Sequence, residues 1–219
     1  GFKDIDSIAS GDDMLLMYNV GGGAVMLRGT LDCCYDGNNP VFLLTIVRLD
    51  NGEVIKRFAP ASVGSPLNAS LLARTKATSF RAPVLGVPIA YPNAVGQVAN
   101  RAFVGDKEGR VWRLDMSSPN PDNWEVKLFW DAFPASGTGT PSPVAAAGPI
   151  PVATQPALSI DPLGNLVLVF ATGDQDNLAA APNLRNVAWS ITEVPDLAAQ
   201  KVTARLNWHL GFSETLQNS

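Results

Sequence analysis

Few of the 219 residues are of a kind that does chemistry, and fewer stand where they could do it together. Cys33 and Cys34 are the only cysteines, and they are adjacent. Joined to each other they would close a small strained ring, which persists only where its surroundings enforce it. In an oxidising compartment two free neighbouring thiols do not last, so the pair is either such a disulfide or bonded to cysteines in a longer protein. The residues leave both open. His209 is the sole histidine, held between Trp208 and Leu210. A Ser-His-Asp system would have to be built on it, and a structural imidazole is the simpler reading. One histidine and two adjacent cysteines make no zinc constellation. Gly21-Gly-Gly-Ala-Val lacks the Lys-Ser/Thr ending of a phosphate loop. Asp32 with Asp36, and Asp174-Gln-Asp-Asn177, are acidic loops that turn chemistry explains. No catalytic, metal or cofactor set emerges, and the chain reads as non-enzymatic.

The most eye-catching polar residues are Arg113 and Asp115, beside Trp112. On a strand, Trp112 and Leu114 point to one face while Arg113 and Asp115 point to the other. Trp112 could dock a partner and Arg113 could hold a ligand. The preferred reading is structural: Trp112 packs between neighbouring sheets, and Arg113 pairs with a carboxylate such as Asp106 or Asp115.

These residues sit in Arg101-Ala-Phe-Val-Gly-Asp-Lys-Glu-Gly-Arg-Val-Trp-Arg-Leu-Asp115, two β-prone runs around Asp106-Lys-Glu-Gly109. A glycine at the end of such a turn supplies the positive φ that other residues resist, so this is a β-hairpin over 101–115. Similar wording recurs at 41–58, around Asp50-Asn-Gly52, and at 158–171, around Asp161-Pro-Leu-Gly164. Gly52, Gly109 and Gly164 are 57 and then 55 positions apart. A hairpin returning at that interval predicts an all-β, propeller-like repeat of antiparallel blades, with room for about four units in one partial domain over 1–219.

Composition agrees with many short strands. Hydrophobic residues make up 46% of the chain and can build a core, while 19 Gly and 17 Pro punctuate it too often for a helical bundle. A net charge of −4 excludes a surface that neutralises phosphates. No run approaches the roughly twenty apolar residues of a membrane span. Strands are expected over 84–91, 187–192 and 202–210, with Pro88 at an edge or bulge. A short helix is possible within 65–76. The Pro-, Gly- and Ala-rich segment 133–154 is expected to be a surface loop, more a spacer than a recognition loop. The polar start Gly1-Phe-Lys-Asp-Ile-Asp carries no signal peptide. The chain reads as a piece of a longer protein and a larger propeller, so this says nothing about compartment.

Four pieces carry a family likeness. Phe103-Val-Gly-Asp-Lys-Glu-Gly-Arg-Val-Trp-Arg-Leu-Asp115 resembles the Tyr-Ala-Gly-Asp, Gly-Asn-Leu-Trp-Arg-Phe-Asp signature of PilY/PilC-type proteins, large secreted proteins at the tip of bacterial type IV pili. Asn123-Trp-Glu-Val-Lys-Leu-Phe129, Gln155-Pro-Ala-Leu-Ser159 and Val169-Phe-Ala-Thr-Gly-Asp174 resemble later parts of the same pattern, in the same order. The likeness spans about residues 86–177. It implies that Gly105, Asp106, Gly109, Trp112, Arg113 and Asp115 form a structural blade motif. It also implies a non-enzymatic propeller at the cell surface, reached through the periplasm, that docks on minor pilins and supports pilus assembly and adhesion. Many relatives carry an acidic calcium loop just before the signature strand. The matching residues here are Pro92, Ala94, Gly96 and Asn100 in the loop 92–100, with none of the carboxylates that calcium needs. Calcium binding is therefore expected to be lost.

Two rivals remain. Quinoprotein dehydrogenases are propellers with tryptophan-bearing hairpins and an adjacent-cysteine ring against pyrroloquinoline quinone, and Gly109-Arg-Val-Trp-Arg-Leu-Asp115 is similar to their motif. It occurs here once, and Asp32-Cys-Cys-Tyr-Asp-Gly37 is not accompanied by quinone or calcium ligands. The other rival is a propeller binding sugars or surfaces.

Overall fold

β-branched and aromatic residues alternate with polar ones through most of the chain, and strands form where they do. The computed structural model describes residues 14–20, 23–30, 35–36, 39–40, 43–48, 51–60, 69–92, 97–134, 149–173, 186–196, 198–199 and 201–212. Strands β1 (Met14–Val20) and β2 (Gly23–Thr30) are followed by the two-residue pair β3 (Tyr35–Asp36) and β4 (Asn39–Pro40). Next come β5 (Leu43–Arg48), β6 (Val54–Pro60), the helical turn α1 (Ala69–Ala73) and β7 (Thr75–Thr78). These make a sheet of order β1-β2-β5-β6-β7, antiparallel except for β7, which joins β6 in parallel. β8 (Ile89–Tyr91), β9 (Arg101–Gly105), β10 (Arg110–Asp115) and β11 (Glu125–Asp131) form a second sheet, and β12 (Ala157–Ile160), β13 (Leu166–Ala171), β14 (Val187–Asp196) and β15 (Lys201–Gly211) a third. In these two sheets every strand pairs antiparallel with the next in sequence, the plan of a propeller blade. The chain is all-β and propeller-like.

The sheets stack face to face over two cores. Leu44, Ile46 and Phe58 of the first sheet meet Ala102, Val104, Trp112 and Leu114 of the second. The second sheet's other face, with Phe103, Val111, Phe129 and Trp130, meets Leu168, Phe170, Trp189 and Ile191 of the third. Burying each large side chain contributes about 1.5–3 kcal/mol, so these two interfaces are the main source of order.

All three turn glycines have positive φ: 73° at Gly52, 80° at Gly109 and 86° at Gly164. They do not occupy the same place in successive sheets. Gly52 closes β5–β6, the last antiparallel hairpin of its sheet; Gly109 closes the middle hairpin β9–β10; Gly164 closes the first, β12–β13. The three sheets begin at residues 14, 89 and 157, intervals of 75 and 68. The 55-residue spacing is thus a sheet repeat shortened by about one hairpin. The described residues form three blade-sized sheets beside the small pair β3–β4.

Other expectations need adjustment. The strand foreseen over 84–91 is only Ile89–Tyr91, with Pro88 just before it on an edge strand. Gly86 instead donates its N–H to Gly105 O at 3.1 Å, beside the end of β9. The helix falls inside 65–76 but spans only Ala69–Ala73. Of the loop 133–154, residues 135–148 lie outside the described residues. Its end runs inward: Ile150 and Val152 are buried, and Val152 donates its N–H to Asp106 O at 3.0 Å. No helix among the described residues is long and apolar enough to cross a membrane.

Candidate functional site

The signature hairpin β9–β10 holds most of the residues singled out above. Its register places Trp112 across from Val104, Arg113 from Phe103, Leu114 from Ala102 and Asp115 from Arg101. Strand alternation then sorts them. Trp112, Leu114, Val104 and Ala102 enter the core shared with the first sheet, whereas Phe103, Arg113 and Arg101 face the third.

Asp106 organises the turn. It is fully buried. Its Oδ1 accepts the backbone N–H of Glu108 and of Arg110, both at 2.9 Å, and its Oδ2 accepts the indole Nε1–H of Trp112 at 2.8 Å. Burial pushes the carboxyl above the ordinary aspartate range, although these three donors and the Arg110 charge pull the other way. The Trp112 ring is thereby fixed edge-on to Phe80, with centroids 4.9 Å apart. The same turn recurs at Asp161, whose Oδ1 accepts from the backbone of Leu163 and Asn165 at 2.9 and 2.8 Å. There the third donor is the side chain of Asn165 rather than a tryptophan.

The glycines are there for space as well as φ. A Cβ on Gly105 would stand 2.1 Å from Val152 O, and one on Gly109 2.5 Å from the Phe133 ring. The segment through Val152 threads between the second and third sheets along this line, joining Gly173 by an isolated parallel bridge.

On the opposite face, Glu193 of β14 reaches across the sheet boundary and is almost wholly buried. Arg113 donates through Nε to its Oε1 at 2.6 Å, and Arg101 Nε lies 2.9 Å from its Oε2 in an ion pair. Arg113 also donates through Nη1 to Asp115 Oδ2 at 2.9 Å, and the Arg101 guanidinium stacks 4.7 Å from the Tyr91 ring centre. Burial disfavours the charged form of Arg113, but the bonds to Asp115 and Glu193 and their charges outweigh it and raise its pKa. For Asp115, burial is outweighed by hydrogen bonds from Ser117 and Arg113, which hold its carboxyl below the usual range. A groove of about 420 Å³ opens beside this cluster between β11 and β15, lined by Arg113, Asp115, Lys127, Leu128, Asp196 and Lys201, among others.

The six motif residues are therefore brought together, and each is engaged in turn geometry, core packing or pairing between sheets. Arg113 takes Asp115 as partner; Asp106 takes Trp112 and the turn amides. Glu193 and Arg101 escaped the sequence reading. A lone acid in the strand-like run Ser190-Ile-Thr-Glu-Val194 was the available signal, because a buried charge demands a partner. A second contact between sheets was also missed: buried Lys56 of β6 meets Asp122 Oδ1 at 2.8 Å, at the 3-10 turn Pro121–Asn123. Cys33, Cys34 and residues 93–96 of the loop 92–100 lie outside the described residues. His209 is on β15, its ring 5.6 Å from that of Trp189. Among the described residues no group of three His, Cys, Asp or Glu side chains is placed to hold a metal.

No family model matches the chain, and no curated protein matches it either. Among solved structures, the crystal structure of the C-terminal domain of Pseudomonas aeruginosa PilY1 is similar, with a TM-score of 0.54 and 17% sequence identity. The similarity covers 85% of this chain and 37% of that one, so the chain spans little more than a third of the solved domain's length. At this identity the likeness is one of fold, a propeller-like all-β architecture.

Proposed function

We propose that this chain is the propeller of a type IV pilus tip-associated protein, and that it docks on minor pilins, supports pilus assembly and adhesion, and catalyses no reaction. The observation that carries the reading is the fold likeness to the PilY1 C-terminal domain over 85% of the chain. It agrees with the ordered motifs read from residues 86–177. The charges at the hairpin favour a scaffold over a catalyst: Asp106, Arg113, Asp115 and Glu193 all hold strands and sheets to one another. A rigid propeller of this kind presents loops and short strand edges to a partner. The protein would act outside the cell, having crossed the periplasm, and would need no cofactor.

The test has two arms. Deleting residues 86–177 from the parent protein should reduce surface pili and twitching, and the purified chain should bind the minor pilins of the same bacterium. Normal piliation with no pilin binding would refute the reading.

A further inference from the structure

Among the described residues, strand β15 closes the third sheet on one side and has β14 as its only sheet neighbour. At eleven residues it is the longest strand described. Exposed edges of this kind are templates for pairing with another chain, and proteins usually blunt them with charge, proline or brevity. The two halves of β15 differ in this respect. Lys201 and Arg205 guard the first half, and Val202, Ala204 and Leu206 pack onto the core shared with the second sheet. From Leu206 to Phe212 there is no Asp, Glu, Lys, Arg or Pro. The register shifts between Ser190 and Ile191, so that Asn207 is an extra residue on β15, bonded to Thr192 and Ser190. Beyond it His209 lies beside Trp189 of the buried face, while Trp208, Leu210 and Phe212 fall on the other face, 47%, 59% and 47% exposed. Three large apolar side chains at alternate positions on a bare edge form a strip suited to a strand of the same kind.

We infer that residues 208–212, the end of β15 and Phe212 just beyond it, pair antiparallel with the same residues of a second copy of this chain. The segment is self-complementary about Leu210, as a two-fold interface must be. Trp208 would lie across from the partner's Phe212, Leu210 across from the partner's Leu210, and His209 across from the partner's Gly211. This register sets aromatic against aromatic, sets no like charges opposite one another, and leaves Lys201 and Arg205 of both copies beyond the paired stretch. Two third sheets then join into one continuous sheet, and the edge amides of His209 and Gly211, which alternate with those bonded to β14, gain partners. A strand with its own charges or a proline would lose part of this, so the same segment of a second copy fits better than an arbitrary surface. This inference is independent of the pilus reading.

Sedimentation equilibrium of the 219-residue chain, with reductant present to exclude bridging through Cys33 or Cys34, should give a monomer–dimer equilibrium. Leu210→Lys places two ammonium groups opposite each other and should raise the dimer dissociation constant at least tenfold. Leu163→Lys, at the 82% exposed tip of the β12–β13 turn, should leave it unchanged. Hydrogen exchange on the unmodified chain supplies a readout that does not depend on a variant folding: the edge amides of His209 and Gly211 should gain protection as concentration rises. A chain that stays monomeric at about 100 μM, a dimer that survives L210K, or concentration-dependent protection elsewhere than 208–212 would each overturn the inference.

Discussion

Replacing Asp106 with alanine removes one carboxylate and strands three donors: the backbone N–H of Glu108, that of Arg110, and the indole N–H of Trp112. An orphaned buried donor costs about 1–3 kcal/mol. The indole bears the most, since Trp112 is 2% exposed, and the two amides less, because water can enter a turn whose side chain is gone. The gross cost is then about 3–6 kcal/mol. Part of it is returned, since the raised pKa of Asp106 shows that burial already disfavours its charge. A net loss of about 2–4 kcal/mol is expected, a large share of the 5–15 kcal/mol that stabilises a typical domain. Urea unfolding, followed by tryptophan fluorescence and far-UV circular dichroism together, measures it. In a Trp112→Phe background one of the three donors is already absent, so D106A should cost about 1–2 kcal/mol less there. Asp161→Ala is the control, because the same turn exists there around an Asp161 outside the core, with its third donor from a half-buried Asn165, and its effect should be much smaller. A D106A loss under about 1 kcal/mol, or one equalled by D161A, would show that the turn and not the buried indole bond sets the energy.

Three further outcomes follow from the contacts between sheets and the loop before β9. Glu193→Gln leaves Arg101 and Arg113 facing each other without their shared charge, and should cost about 2–4 kcal/mol in the same urea assay, with Glu193→Ala no milder. Asp115 has a lowered pKa, so the stability its charge contributes is present above the ordinary carboxylate value near pH 4 and is lost as pH falls through the lower folded value; Asp115→Asn should lower stability at pH 7 and flatten the acid limb of the stability curve below about pH 4. Chelator, or added calcium, should leave the Tm unchanged, because Pro92 and Asn100 stand where a calcium loop would need carboxylates; a calcium-dependent rise in Tm would overturn that alignment.

What could be read from the chain alone was what its neighbours in sequence determine. Gly52, Gly109 and Gly164 were legible because a tight turn demands positive φ at one position, and few residues other than glycine supply it. The opposed faces of Trp112 and Arg113 were legible because a strand alternates, and the Arg113–Asp115 pair because two positions on one face are close in any strand. Glu193 was not, since it meets Arg113 across 80 positions and nothing local says which sheet face will arrive there. The strand foreseen over 84–91 is shortened to Ile89–Tyr91 for a related reason. Apolar content argued for it, but Gly86 is held against Gly105 by a contact that only the threading of Val152 between two sheets explains.

The repeat shows the same limit from another side. Equal spacing of the turn glycines suggested equal units, yet the glycine moves from the last to the middle to the first hairpin of successive sheets. A turn glycine marks a tight hairpin and carries no information about which hairpin of a sheet it closes. What makes three sheets a stack is the pair of apolar faces on each side of the second sheet, one meeting Leu44, Ile46 and Phe58, the other Leu168, Phe170 and Trp189. Hydrophobic alternation on both faces of β9 and β10 is therefore the stronger mark of a blade between two others. It also explains why the polar residues that lie on those faces, Arg101, Arg113 and Glu193, are bound to one another: a charge on a face that must meet another sheet is tolerated only when the other sheet brings its partner.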